Sequence, residues 1–188
     1  MSESRIRVGV LYGGTSSEHS ISCVSAGSVL RVLDPDRFEV VRIGIDRQGT
    51  WRLDEQDVAH LSLGSELPEV LGGPEVGLML DHARKGLLVA GEYVPLDVVF
   101  PILHGPFGED GTVQGLLEVA GLPYVGSGVL SAALAMDKIS FKQHMAAAGI
   151  DVGAFVGFTG DQWRHEADRL EQEIAALVEA AAAGDLGR

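Results

Sequence analysis

Cysteine is almost absent from this chain, with Cys23 the only one in 188 residues. That excludes an internal disulfide and any metal centre built on several thiolates, and it fits a reducing, intracellular location. Cys23 itself reads as a small buried hydrophobe on the first helix. Basic residues are scarce too. Fourteen lysines and arginines stand against 27 acids, a formal net charge of −13, which argues against a surface for nucleic acid or for an anionic membrane. The acids are spread along the chain and form no block. No apolar run reaches the roughly 20 residues that a membrane-spanning helix needs. Met1-Ser2-Glu3-Ser4-Arg5 leads straight into a strand pattern without a signal-peptide core. A soluble, cytoplasmic protein is expected. Its length allows one domain with a sizeable core, or one domain plus an appendage.

Hydrophobic periodicity gives the order of elements. Arg5 to Tyr12 reads as a strand, followed by the turn Gly13-Gly14-Thr15-Ser16-Ser17-Glu18 and a helix to about Leu33, in which Ala26, Val29, Leu30 and Leu33 recur at helical spacing. Asp34-Pro35 ends that helix, and Phe38 to Asp46 reads as a second strand. Strand, glycine turn, helix and strand make a βαβ unit, the start of a parallel sheet with right-handed crossovers. From Arg47 to Pro95 the pattern weakens into an irregular insertion with small strands near Trp51, Val76 to Leu80 and Leu87 to Ala90. His60 and His82 lie there without acidic or cysteine partners at ligand spacing, and read as surface histidines.

The most informative stretch follows. Asp97 to Leu103 reads as a buried strand that ends in His104-Gly105-Pro106-Phe107-Gly108-Glu109-Asp110-Gly111, and then a helix whose Val113, Leu116, Leu117 and Ala120 form one core face. Gly105, Gly108 and Gly111 allow positive φ and close backbone approach, and Asp110 can cap the helix. In an open α/β sheet, ligands bind in the crevice outside the carboxyl ends of the strands. A turn with a cap explains the glycines and Asp110, but not a histidine beside Glu109. Past a short strand at Gly121 to Gly126, the pattern reads as one helix from Ser127 through Lys138, extended by Phe141 to Ala148. In the tail, Thr159-Gly160-Asp161-Gln162 has capping-box form. Trp163, Ala167, Leu170, Ile174 and Leu177 make an apolar stripe, which dissolves into a frayed, alanine-rich end from Ala180 to Arg188.

The pattern His-Gly-x-x-Gly-Glu-Asp-Gly-x-x-Gln-Gly, intact from His104 to Gly115, resembles a signature of D-alanine-D-alanine ligases. Gly-Gly-x-Ser-x-Glu at Gly13 to Glu18 resembles a second motif of that family, and Met136-Asp137-Lys138 resembles its Asp-Lys pair. The likeness spans roughly residues 5 to 165 and fades from about Ile174. It implies an α/β fold: a three-layer open parallel sheet, the Rossmann-like pre-ATP-grasp domain over residues 1–138, with a short carboxyl-terminal helical extension. Residues 139–188 would be the incomplete start of the ATP-grasp region.

By the same resemblance Glu18, His104 and Glu109 are the catalytic residues. Glu18 would hold the ammonium of the first D-alanine, and His104, beside Glu109, would lie near that substrate's carboxylate and acyl phosphate. On the residues alone Glu18 reads equally well as a first-turn acid favoured by the helix dipole. Lys138 is implied as the contact to the phosphates of ATP. The family reaction phosphorylates the carboxylate of one D-alanine with ATP and Mg2+, and the amine of a second then displaces phosphate to leave the dipeptide of peptidoglycan. After Lys138 the sequence offers no glycine-serine-rich phosphate loop, no second lysine strand and no acidic cluster suited to magnesium. The expectation is a ligase chain truncated or divergent at its carboxyl end and inactive alone. The competing expectation is a non-catalytic domain of the same build that binds a small molecule or self-associates as a homodimer through the Trp163 to Leu177 stripe. A dinucleotide-binding redox domain is disfavoured, since Gly13-Gly14-Thr15-Ser16 does not supply GxGxxG.

Overall fold

In the computed structural model, which describes residues 4–184, the amino-terminal strand runs Ile6–Gly13 (β1) and is buried from Val8 onward. A helix, His19–Leu30 (α1), carries the chain to Phe38–Ile45 (β2), and a tight turn leads to Trp51–Leu53 (β3). Three short strands follow, Val76–Leu78 (β4), Gly86–Val89 (β5) and Glu92–Pro95 (β6), before Val98–Pro101 (β7). The main sheet has the order β3-β2-β1-β7. β1 pairs in parallel with both β2 and β7, as the βαβ pattern requires, whereas β3 runs antiparallel to β2. The cause is local. The 46–50 turn is too short for a crossover, which takes a dozen or more residues. Asp46 instead closes a hairpin by accepting N–H bonds from Gln48 and Thr50 at 3.0 and 2.9 Å.

Alternation along β1 divides the core. Val8, Val10 and Tyr12 face α1, where they pack with Cys23, Ala26 and Leu61. Leu11 faces the other way with Ile43, Ile45 and Val99, and is covered by Val113 and Leu117 of the helix Thr112–Val119 (α2) and by Leu87 and Val89 of the small sheet. These are the three layers of a Rossmann-like α/β fold.

The insertion is more regular than the sequence suggested. β4, β5 and β6 form an antiparallel sheet of their own. His60 is not a simple surface residue, since its Nε2 lies 3.2 Å from Asp54, whose side chain is buried and receives the Tyr12 hydroxyl. His82 hydrogen bonds through Nε2 to the carbonyl of Val119 at 2.8 Å. The strand expected at Gly121 to Gly126 is reduced to one parallel bridge, Val99 to Tyr124. The single helix expected from Ser127 is two helices, Val129–Met136 (α3) and Lys138–Ala147 (α4). Asp137 divides them: its ψ of 98° is extended and its carboxylate accepts the Ser140 N–H, so it caps the second helix and cannot continue the first.

The chain falls into two compact units, Met1–Met136 and Asp137–Arg188. In the second, the helix Gly160–Ala182 (α5) opens with the expected Thr159/Gln162 capping box and breaks helical geometry at Glu166. Of its apolar stripe, Leu170 is buried, while Trp163 is partly exposed and stacks on Phe158. The end is less frayed than its composition implied, since Ala180 to Ala182 are helical; residues 1–3 and 185–188 lie outside the described residues.

Candidate functional site

The carboxyl ends of β1 and β7 are joined by one serine. Ser22, fully buried on α1, accepts the N–H of Gly13 at 2.8 Å and donates to the carbonyl of Ile102 at 2.5 Å. Gly13 adopts φ 88° because the chain turns sharply there, and a Cβ would meet the carbonyl of Ile45 at 2.3 Å. The next carbonyl, of Gly14, hydrogen bonds to His19 Nδ1 at 2.7 Å, and His19 Nε2 accepts the N–H of Val70 at 3.2 Å. A buried neutral imidazole thus ties the first turn to the insertion.

The second turn docks on the first through Ser16, whose hydroxyl donates to the carbonyl of His104 at 2.8 Å and accepts the N–H of Glu18 at 3.2 Å. Glu18 precedes α1, but its carboxylate makes no capping bond to that helix. It lies against Gly105, where an added Cβ would meet Glu18 Oε2 at 2.7 Å, and φ of 75° further selects glycine. Glu109 reaches the same residue, accepting the Gly105 N–H at 2.7 Å. Asp110 accepts the N–H groups of Phe107 and Thr112 at 2.8 and 3.0 Å, starting α2 from one position before the helix cap Gly111. Burial works against charge on Asp110, but these donors outweigh it and hold the carboxyl below its ordinary value. Gly108 needs space and not positive φ: a Cβ there would meet Leu103 Cβ at 2.4 Å. The ring of His104 is anchored by Nε2, 3.1 Å from the hydroxyl of Ser25 on α1.

Glu18, His104 and Glu109 are therefore brought together around Gly105. Lys138, the fourth expected residue, is the first of α4 and belongs to the second unit. Ser22 and Ser25 were not anticipated, nor was the bond from Ser16 to the second turn. The signal was Ser22 and Ser25 three apart on a helix, a spacing that makes them neighbours on its surface. Beside His104 opens a cleft of about 440 Å3, walled by Ile45, Trp51, Leu103, Phe107 and Leu116, with Thr15, Ser16 and Thr112 as further polar lining. It lies outside the carboxyl ends of the parallel strands, where the fold places ligands. No lysine or arginine lines it, and among the described residues no group of three or more acidic, histidine or cysteine side chains could hold a metal ion. This cleft is therefore not lined for a magnesium triphosphate.

The family model described as the amino terminus of D-ala D-ala ligase matches residues 7–127, which include both turns. The chain belongs to the D-alanine-D-alanine ligase family. The D-alanine-D-alanine ligase of Mycolicibacterium gilvum is 56% identical over 161 residues, a match covering 81% of this chain and 44% of that protein. The ligase of Corynebacterium diphtheriae is 46% identical over 184 residues, covering 96% of this chain and 50% of its own length. That match reaches past Ile174, so the family likeness extends further into α5 than the motifs alone disclosed. Among solved structures, the VanG D-Ala:D-Ser ligase of Enterococcus faecalis superimposes with a TM-score of 0.76 at 32% identity, over 92% of this chain and 49% of that one. The chain thus spans about half the length of the ligases it matches. Among the described residues no helix is long and apolar enough to cross a membrane.

Proposed function

We propose that this chain is the amino-terminal part of a cytoplasmic, ATP-dependent D-alanine-D-alanine ligase serving peptidoglycan synthesis, and that it carries the amino-acid half of the site. Residues 1–138 form the first domain in this reading, and residues 139–188 begin an ATP-grasp region that handles ATP and Mg2+. The observation that carries the reading is the convergence on Gly105. A carboxylate from the first turn, spared from helix capping, lies against Gly105, and the preceding residue of the second turn, His104, lines the cleft. A zwitterionic amino acid needs such a pair: Glu18 as the fixed anion for its ammonium, and His104 as a donor or cation where its carboxylate gathers negative charge. Glu109 keeps the turn closed and so holds His104 in place. Lys138 would contact phosphate.

The experiment is phosphate release from ATP and Mg2+, with D-alanine compared against L-alanine, by the 188-residue chain alone and with the separately made carboxyl-terminal portion of a related ligase. Release that depends on D-alanine and is abolished in Glu18→Gln supports the reading. Release that is unchanged in Glu18→Gln overturns the role of that residue. No D-alanine dependence in either mixture overturns the substrate.

A further inference from the structure

We propose that Ser25 is a positioning residue for His104, fixing the imidazole so that Nδ1 keeps its proton and faces the cleft. The proposal rests on the reading of His104 given above, but its chemistry is local. Three constraints meet at this residue. Its carbonyl is held by Ser16, and the following N–H, of Gly105, is held by Glu109, so the backbone is clamped on both sides. Its Nε2 lies 3.1 Å from Ser25 Oγ. The helix that presents Ser25 is fixed one turn earlier, where Ser22 bonds to both strand ends. Once the backbone and one ring nitrogen are held, the ring has no rotation left to choose.

Among the described residues Nδ1 has no hydrogen-bond partner, and His104 forms part of the cleft wall. The partner of one ring nitrogen decides the state of the other. A carbonyl or carboxylate at Nε2 would only accept, leaving Nδ1 of the neutral ring without a proton. A serine hydroxyl differs, because it both donates and accepts. It can donate to Nε2 of the neutral ring, which leaves the proton on Nδ1, and it can rotate to accept from Nε2–H when the ring is charged. Ser25 therefore lets Nδ1–H point at an anionic group in the cleft in either charge state. The charged groups facing this corner are Glu18 and Glu109, both against Gly105, and neither is hydrogen bonded to the ring.

The test needs no turnover. Long-range proton–nitrogen correlation spectra of the 15N-labelled 188-residue chain separate a protonated from a bare ring nitrogen, and His104→Gln assigns the signals among the six histidines. With the ring neutral, wild type should show protonated Nδ1 and bare Nε2. Ser25→Ala should lose that preference with the amide spectrum otherwise intact, and Ser25→Thr, which keeps the hydroxyl, should retain it. A wild-type ring protonated at Nε2 overturns the proposal. So does a tautomer unchanged in Ser25→Ala, or lost equally in the alanine and threonine variants. Failure here leaves the phosphate-release result standing, and failure of the ligase reading leaves the tautomer measurable, so the two are told apart.

Discussion

Replacing Ser22 by alanine removes a single oxygen that serves two backbone groups. The residue is 0% exposed, and its hydroxyl is the acceptor for Gly13 N–H and the donor to the Ile102 carbonyl. Alanine fits without a clash, so the cost is electrostatic: one buried donor and one buried acceptor lose their partner, at about 1–3 kcal/mol each. Better helix propensity returns roughly 0.5 kcal/mol. A net loss of about 1.5–5.5 kcal/mol is expected, equivalent to a fall in melting temperature of roughly 3–22 °C for a chain of this size. Urea unfolding should be followed by tryptophan fluorescence in a Trp163→Phe background, so that Trp51 on β3 reports the first unit alone. Ser28→Ala is the control. That hydroxyl is exposed, donates to the carbonyl of Val24 in its own helix and accepts a long bond from the exposed Arg31, so its removal should change stability by no more than about 0.5 kcal/mol. A lowered midpoint for Ser22→Ala with an unchanged slope is expected. Matching midpoints for the two variants would refute the claim that Ser22 joins the strand ends.

Asp46 should govern part of the acid response. Burial raises its pKa, but the N–H groups of Thr50 and Gln48 and the guanidinium of Arg52 outweigh burial and hold the folded carboxyl below its usual 3.8. The unfolded chain then binds the proton first, so the stabilisation is complete above the usual value and is lost as pH falls through the folded one. Urea midpoints measured down the acid range should fall less steeply in Asp46→Asn than in wild type, and parallel slopes would exclude Asp46 as the cause. Cys23 is fully buried, and burial pushes its thiol up to about 12. An aromatic disulfide reagent at neutral pH should therefore label it only when the chain unfolds; labelling of the folded protein at the rate of a free thiol would contradict the packing.

The first βαβ unit and both glycine turns were legible because each is punctuated locally, by glycines after an apolar strand and by polar residues where a helix starts. What escaped depends on distant partners or on single side chains. The β5–β6 hairpin turns through Ala90 and Gly91, both at positive φ, where alanine replaces the asparagine or aspartate that usually announces such a turn. The break at Asp137 is a capping event inside a continuous apolar pattern, invisible to periodicity. His60 looked unpartnered because Asp54 is joined to it only through the fold, with Tyr12 contributed by β1. At the candidate site the acids and the histidine stood out by type, whereas the serines that hold them did not, since a serine on a helix acquires meaning only from the strand end it faces.

β1 lies between β2, which follows closely in sequence, and β7, which does not. The contact between Ser16 and His104 spans 88 positions. At ribosomal speeds of about 5–20 residues per second, roughly 5–20 s separate the appearance of one half of this pocket from the other. During that interval the growing chain can pair β1 with β2, leaving the opposite edge of β1 bare. An unpaired strand edge is a template for the wrong partner. The arrangement that sets Glu18 beside the second turn therefore makes arrival of β7 the event that both completes the pocket and covers the bare edge of β1.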